Sequence, residues 1–416
     1  MNKLFVCMLV FFTIYSNLKA QWILTNGPQD VPIYSFAADG INVYAAADTS
    51  GPSATGGCVF LSTNNGEDWS NVSNGLNCGA IYSLAINDTN IFAGSVEGGV
   101  FLSTNMGANW TSVSSGLGNL CVYTLLTAPN GTGGTNLYAG TMGGGIFIST
   151  NNGGNWNNIN TGLMDMYIYS LDYVQNDIFL FAGTGGNGVF VSTNNGSSWT
   201  QTALNTNYVQ SLAISGENIF ASTGTGRLFL STDRGANWTD VTTGLSNLPV
   251  FALATYENNV FALTNWGNIF LSTNNGADWE LINEGIIDTL VLAIGINDSY
   301  IFASGVREGI WRRPLSEIIS SVQSSSELPE YFILEQNYPN PFNPTTKIRY
   351  SVPKSSNVVI KVFDILGNEI ETLVNEEKVT GTYELTWYAS NLPSGVYFYH
   401  LNAGEFINTK KMILLK

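Results

Sequence analysis

The 416 residues carry 31 acidic and 15 basic side chains, a net charge of −16, and charged residues make up only 11% of the chain. A chain of this length outgrows one small core, so two or more domains are expected, and its acidity repels phosphate backbones and anionic headgroups, which excludes nucleic acid as a partner. Gly, Asn, Ser and Thr fill the place of the charges, a mix suited to turns and uncharged strand faces and hence to an all-β protein.

The chain opens with "MNKLFVCMLVFFTIYSNLKA". Lys3 supplies a positive start, Leu4 to Tyr15 an apolar run, and Ala20 a small residue at a cleavage point, so residues 1–20 read as a secretory signal peptide. The run is short for a membrane span, and no other segment has the character of one. Cys7 lies inside the run, which leaves Cys58, Cys78 and Cys121 in an exported chain. Three is an odd number for pairing.

From residue 21 onward the sequence repeats. An alternating strand recurs seven times: "IYSFAAD" at 33, "IYSLAIND" at 81, "VYTLLTAP" at 122, "IYSLDYV" at 168, "VQSLAIS" at 209, "VFALATY" at 250 and "LVLAIGI" at 290. Each is followed by a small-residue strand such as "NVYAAAD" or "NIFAGSV". A third strand then leads into Ser-Thr-Asn-x-Gly-x-x-Trp, and a fourth starts at that Trp. The motif occurs six times: Ser62, Asn64, Gly66, Trp69; Ser103, Asn105, Gly107, Trp110; Ser149, Asn151, Gly153, Trp156; Ser192, Asn194, Gly196, Trp199; Ser231, Asp233, Gly235, Trp238; and Ser272, Asn274, Gly276, Trp279. Four short strands every forty-odd residues is the period of a β-propeller blade. The seventh unit, "GIWRRPL" at 309–315, lacks both motif and fourth strand, while "WILTNGP" at 22–28 looks like a stray fourth strand. The N-terminal strand is therefore expected to complete the seventh blade and close the ring, removing exposed sheet edges.

The motif belongs at the hairpin between third and fourth strands. Its Asn or Asp accepts backbone N–H groups, its Gly supplies a positive φ, and its Trp packs back on the sheet. It resembles the Asp-box, or BNR repeat, of sialidases, sortilin-type receptors, xyloglucanases and the photosystem II assembly-factor propeller. The resemblance covers residues 21–313 and implies a seven-bladed β-propeller. Asn replaces Asp in five of the six copies, an exchange that keeps the acceptor oxygen. The motifs are read as structural rivets.

Residues 314–330, "PLSEIISSVQSSSELPE", lose the blade pattern and read as a linker. Residues 331–416 read as a small Ig-like β-sandwich of about seven strands with Gly and Pro turns. Asn337-Tyr338-Pro339-Asn340-Pro341-Phe342-Asn343-Pro344, Val362-Phe363-Asp364-Ile365-Leu366-Gly367, Leu392-Pro393-Ser394-Gly395-Val396-Tyr397 and the basic end Lys410-Lys411-Met412 closely resemble the type IX secretion sorting domain. That resemblance implies an exported protein, released or held at the cell surface, whose C-terminal domain engages the type IX machinery.

The one histidine, His400, falls in this last domain, so neither a His-based catalytic triad nor a His-ligated metal can form within the propeller. No cofactor or metal is expected. A sialidase needs several arginines on the substrate carboxylate, and the propeller has Arg227, Arg234, Arg307, Arg312 and Arg313, three of them committed to motif positions. Ligand contacts are expected on the face built by second-to-third and fourth-to-first strand loops, opposite the motif hairpins. There lie Asp48, Glu97, Asp165, Asp288 and Glu308, with Tyr167, Tyr208 and Trp266 as aromatic platforms and Arg227 and Arg307 as donors. Trp266 stands where other blades carry small residues. Cys58, Cys78 and Cys121 fall on the same face; a Cys58–Cys78 bridge would staple the first blade to the second, with Cys78–Cys121 the alternative. The expected function is a secreted or cell-surface, non-catalytic, monomeric binding propeller for a polysaccharide or surface protein. A secreted hydrolase of neutral polysaccharide, using two carboxylates, and a scaffold role like that of the photosystem II assembly-factor propeller are the alternatives.

Overall fold

The computed structural model describes residues 21–49, 56–174, 179–206, 208–245, 248–287, 290–323, 331–337, 339–390, 392–404 and 406–415. Residues 1–20, expected to be a signal peptide, and Asp288 lie outside them. The chain divides into two compact units, 1–319 and 320–416. Among the described residues, no helix is long and apolar enough to cross a membrane.

Among the described residues, unit 1 holds seven four-stranded antiparallel sheets. We number them as blades 1 to 7 by their innermost strands: Ile33–Asp39, Ile81–Asn87, Val122–Pro129, Ile168–Tyr173, Val209–Ser215, Val250–Tyr256 and Val291–Ile296. Each innermost strand packs beside the next, and the seventh packs beside the first. The ring closes as the sequence pattern predicts. In blade 7 the outermost position is taken by Ile23–Leu24, paired with Ile310–Pro314 through Ile23↔Arg312 and Leu24↔Trp311.

Apolar clusters lie between blades rather than within them. One joins Ala85, Phe92 and Val100 of blade 2 to Val122, Leu125 and Trp156 of blade 3. The small residues of each second strand follow from this close stacking. A Cβ on Gly140 would sit 2.6 Å from Cγ2 of Ile168 in the next blade, so a larger residue would force the sheets apart.

The six motif hairpins share one geometry. In blade 3 the buried Ser149 hydroxyl donates to Asn151 Oδ1 (2.9 Å) and accepts the N–H of Gly153 (2.8 Å). Asn151 Oδ1 in turn accepts the N–H of Asn155 (2.9 Å). Asp233 does the same for Asn237 at 2.8 Å, so Asn and Asp are interchangeable here. Positive φ extends beyond the glycine: the variable residue before it also takes φ between 55° and 60°, at Asn65, Met106, Asn152, Asn195, Arg234 and Asn275. A two-residue left-handed turn suits a tight hairpin between right-twisted strands.

The tryptophans do more than pack on their own sheet. Trp110, Trp156, Trp199 and Trp279 donate their indole N–H to the carbonyls of Val72, Val113, Ile159 and Val241 in the preceding blade, at 2.6 to 3.0 Å. They are staples between blades. Two copies depart from this: Trp69 donates to Gly66 in its own turn at 3.1 Å, and the buried Trp238 indole N–H has no partner among the described residues.

The expected linker begins as ordered structure. The strand continues to Pro314, and Leu315–Gln323 is an α-helix. Leu315 and Ile318 are buried; three residues apart, they share one face, which gives the helix an apolar side that a disordered linker would not have.

The described residues of unit 2 form a seven-stranded sandwich. Ile333–Leu334, Thr345–Val352 and Gly381–Tyr388 form one sheet; Glu369–Lys378, Ser356–Phe363, Gly395–Ala403 and Phe406–Leu414 form the other. Phe342, Tyr350, Ile360, Trp387, Tyr399 and Met412 are buried between them. The Asn-Pro-rich segment is pinned to this core: Asn337 donates from its backbone to Tyr399 Oη (2.8 Å) and from its amide to Thr346 Oγ1 (2.9 Å). His400 is a strand residue whose Nδ1 meets Thr409 Oγ1 at 2.8 Å.

Candidate functional site: the tyrosine-lined channel mouth

Every innermost strand carries a β-bulge at its second residue. The register shifts between Ile33 and Ser35, Ile81 and Ser83, Val122 and Thr124, Ile168 and Ser170, Val209 and Ser211, Val250 and Ala252, and Val291 and Ala293. Across each bulge a further backbone bond holds the strand pair, as from Asp48 N–H to Pro32 O (3.1 Å) or Gly185 N–H to Tyr167 O (3.0 Å). A bulge re-aims the extra residue. Here that residue is Tyr34, Tyr82, Tyr123 and Tyr169 in four successive blades.

The re-aimed rings meet from blade to blade. Ring centroids are 4.7 Å apart for Tyr34–Tyr82, 5.2 Å for Tyr82–Tyr123 and 5.1 Å for Tyr123–Tyr169. Tyr208, in a left-handed conformation at φ 60°, extends the series with a centroid 4.6 Å from Tyr169. Five tyrosines thus form an arc around the axis at the start of the inner strands. Burial, followed by the neighbouring phenols of Tyr208, Tyr82, Tyr169 and Tyr34, pushes the Tyr123 hydroxyl up to about 12. Burial likewise raises Tyr34, Tyr82 and Tyr169, with Asp48 adding to the rise at the first two and Asp165 at the third. Gln210, Phe251 and Leu292 occupy the bulge position in the remaining blades.

The sequence pattern pointed to this end of the propeller but not to the arc. Tyr208 belongs to it, and Asp48 and Asp165 border it. Asp165 Oδ1 also accepts the N–H of Tyr167 at 2.9 Å, which shapes the loop. Tyr167 is 51% exposed and Trp266 72% exposed. Trp266 has a φ of 68°, a conformation unusual for a bulky residue. Glu97, Arg307 and Glu308 are exposed. Arg227 is paired with Asp240 at 3.1 Å, on a side chain 63% exposed, so it does not reach towards the arc as a free donor. The arc was legible as "IYS", "IYS", "VYT" and "IYS" at the same place in four repeats, but strict alternation hides a bulge and points those side chains elsewhere.

Asp172 is a second residue that the pattern passed over. It stands where the other blades carry Ala37, Ala85, Leu126, Ala213, Ala254 and Gly295. Its carboxylate accepts the N–H of Tyr173 at 2.8 Å and that of Ile214 in the next blade. Burial outweighs these bonds and pushes it up to about 7.

Among the described residues, Cys58, Cys78 and Cys121 are free thiols, and the expected Cys58–Cys78 bridge is not formed. The two side chains serve different interfaces. Cys58 packs with Ile33, Ala45, Ala47 and Ile310, where blades 7 and 1 meet. Cys78 packs with the Val59, Leu84 and Phe101 cluster, where blades 1 and 2 meet. Burial pushes both thiols up to about 11. Cys121 is free as well, so the Cys78–Cys121 alternative is also not formed.

Comparison with known proteins agrees with both units. A family described as "Secretion system C-terminal sorting domain" matches residues 336–415, and the "DUF6242 beta propeller domain" matches residues 169–290. No curated protein sequence matches the chain. Among solved structures, PorZ, an essential bacterial surface component of the type-IX secretion system of Porphyromonas gingivalis, aligns over 95% of this chain and 61% of its own, at 14% identity and a TM-score of 0.52. YCF48 from Cyanidioschyzon merolae aligns over 71% of this chain and 98% of its own, at 16% identity and a TM-score of 0.54. The extracellular domain of the putative hybrid two component system BT3049 from B. thetaiotaomicron aligns over 95% and 57%, at 15% identity and a TM-score of 0.56. The chain thus spans about three fifths of PorZ, and at these identities the likenesses establish fold alone. The chain is a β-propeller protein with a type IX secretion system C-terminal sorting domain, carried out of the cell and attached at its surface.

Proposed function

We propose that the propeller is a non-catalytic binding module displayed at the cell surface, with the tyrosine-lined end of its channel as the binding face. The observation that carries this reading is the five-membered tyrosine arc, four members of which the repeat architecture builds by bulging one strand after another, the fifth, Tyr208, joining from the residue before its strand. Tyrosine combines a large apolar ring with a polar tip and suits recognition surfaces. The same face displays most of the propeller's exposed large apolar side chains, among them Leu120, Met164, Tyr167, Trp266, Ile287 and Leu290. Such a concentration on one face is the mark of an interaction site.

The test uses the mature chain and cell-surface material, polysaccharide and protein, with retention and new reducing ends read in the same tubes. Retention without cleavage, lost in Tyr82→Ala together with Tyr169→Ala, supports the reading. New reducing ends would replace it with a hydrolase that acts through carboxylates on this face.

A further inference from the structure

The geometry points to a cationic ligand: a Lys- or Arg-bearing peptide segment of a surface protein, whose charged head enters the tyrosine-lined mouth. This rests on the binding reading above and adds the class of ligand. Three observations support it. The rings of Tyr34, Tyr82, Tyr123, Tyr169 and Tyr208 meet edge-to-face or tilted in one continuous arc, and aromatic faces attract cations through their quadrupole. Carboxylates border the same arc. Asp48 acts on Tyr34 and Tyr82, and Asp165 acts on Tyr169, while Glu97 lies near enough to Cys121 to raise its thiol. A positive group entering there meets opposite charge in a partly desolvated setting, where attraction is strongest. Residues 21–313 hold twenty acidic side chains against five basic ones, a field that draws cations towards the propeller and turns anionic polymers away.

The surroundings of the mouth argue for a peptide rather than a free amine. Tyr167, Phe251, Trp266 and Leu290 stand exposed around it. A lone ammonium leaves that apolar rim uncovered, whereas side chains flanking a lysine or arginine bury it.

The experiment takes the mature chain and two hexapeptide pools. One is built from Lys, Arg, Phe, Leu, Ser and Gly. The other is the same pool with lysine acetylated and arginine replaced by citrulline. Binding is read by retention and by tryptophan fluorescence at low and physiological salt. The expected result is retention of the cationic pool at least about tenfold stronger than the neutral pool. Asp48→Asn with Glu97→Gln should cut it about tenfold, while Asp39→Asn with Asp298→Asn, equal in charge but on the opposite face, should leave it within about twofold. Equal losses from both double variants would reduce the effect to net charge and overturn the inference. Equal binding of both pools, or of neither, would also overturn it. Retention of a neutral polysaccharide such as xylan in place of the peptides would overturn the cationic ligand but leave the binding reading standing. Failure to retain any peptide, polysaccharide or surface protein would overturn both.

Discussion

The indole N–H of Trp22 donates to the carbonyl of Ile282 at 2.6 Å, across 260 positions of sequence. It is the bond that Trp110, Trp156, Trp199 and Trp279 make to the blade before their own. Trp22 therefore supplies the seventh blade with the tryptophan that the chain following its third strand, Ile310–Pro314, does not carry. Two arginines finish the closure where that blade lacks a motif. Arg312 donates to Asn65 O in blade 1 at 2.8 Å, and Arg313 donates to Ile282 O in blade 6 at 2.8 Å.

Trp22→Ala should accordingly lower stability by about 3–5 kcal/mol, the usual cost of emptying a buried aromatic site. Removing residues 21–28 should cost more and broaden the unfolding transition, because the strand Ile23–Leu24 is lost and Ile310–Pro314 becomes an open edge. Thermal unfolding of the truncated chain that coincides with the intact one would disprove closure by this strand.

The indole staples can be weighed one against another. Trp156→Phe removes the bond to Val113 O (2.7 Å) and leaves that carbonyl without its donor, whereas Trp238→Phe removes no bond, since its N–H has no partner among the described residues. Both lose similar ring volume. The difference between them in denaturant unfolding should therefore isolate the hydrogen bond, at about 1–3 kcal/mol in favour of Trp156. Equal losses would mean that the indole N–H contributes nothing beyond packing.

Deletion of residues 331–416 should leave the propeller inside the periplasm, because the sorting domain at 336–415 is then absent. Fractionation of periplasm, surface and medium reads the outcome directly. A propeller that still reaches the surface would require another export signal in residues 21–330.

Much of this architecture is written as periodicity. The six Ser-Thr-Asn-x-Gly-x-x-Trp copies and "WILTNGP" at the N-terminus are enough to count blades and join the ends. The features of the proposed binding face are less legible because they depend on departures from periodicity. Tyr34, Tyr82, Tyr123 and Tyr169 sit on alternating strands in the sequence, but the bulge turns them to the axis. Cys58 and Cys78 are neighbours by loop position, yet Cys58 on the third strand of blade 1 and Cys78 in the loop leading to blade 2 pack into separate interfaces. The helix Leu315–Gln323 hid in a serine-rich stretch because two buried residues, Leu315 and Ile318, are too few to show a period.

Asp172 gives the propeller a pH dependence whose sign can be fixed. Its carboxyl rises from the ordinary 3.8 to about 7 in the folded chain. Between about pH 4 and pH 7 the folded state keeps a proton that the unfolded state has released, so stability falls as pH rises through this window, and the penalty is complete above pH 7. At 1.36 kcal/mol per unit, the penalty is of the order of a few kcal/mol. Asp172→Asn keeps an acceptor oxygen for the N–H groups of Tyr173 and Ile214 and removes the charge. Denaturant unfolding of the two chains should agree to within about 1 kcal/mol at pH 4.5 and separate in favour of the variant at pH 8. A variant that is less stable at pH 8 would mean that the ionised carboxylate, through its two backbone bonds, stabilises the junction of blades 4 and 5 by more than its burial costs.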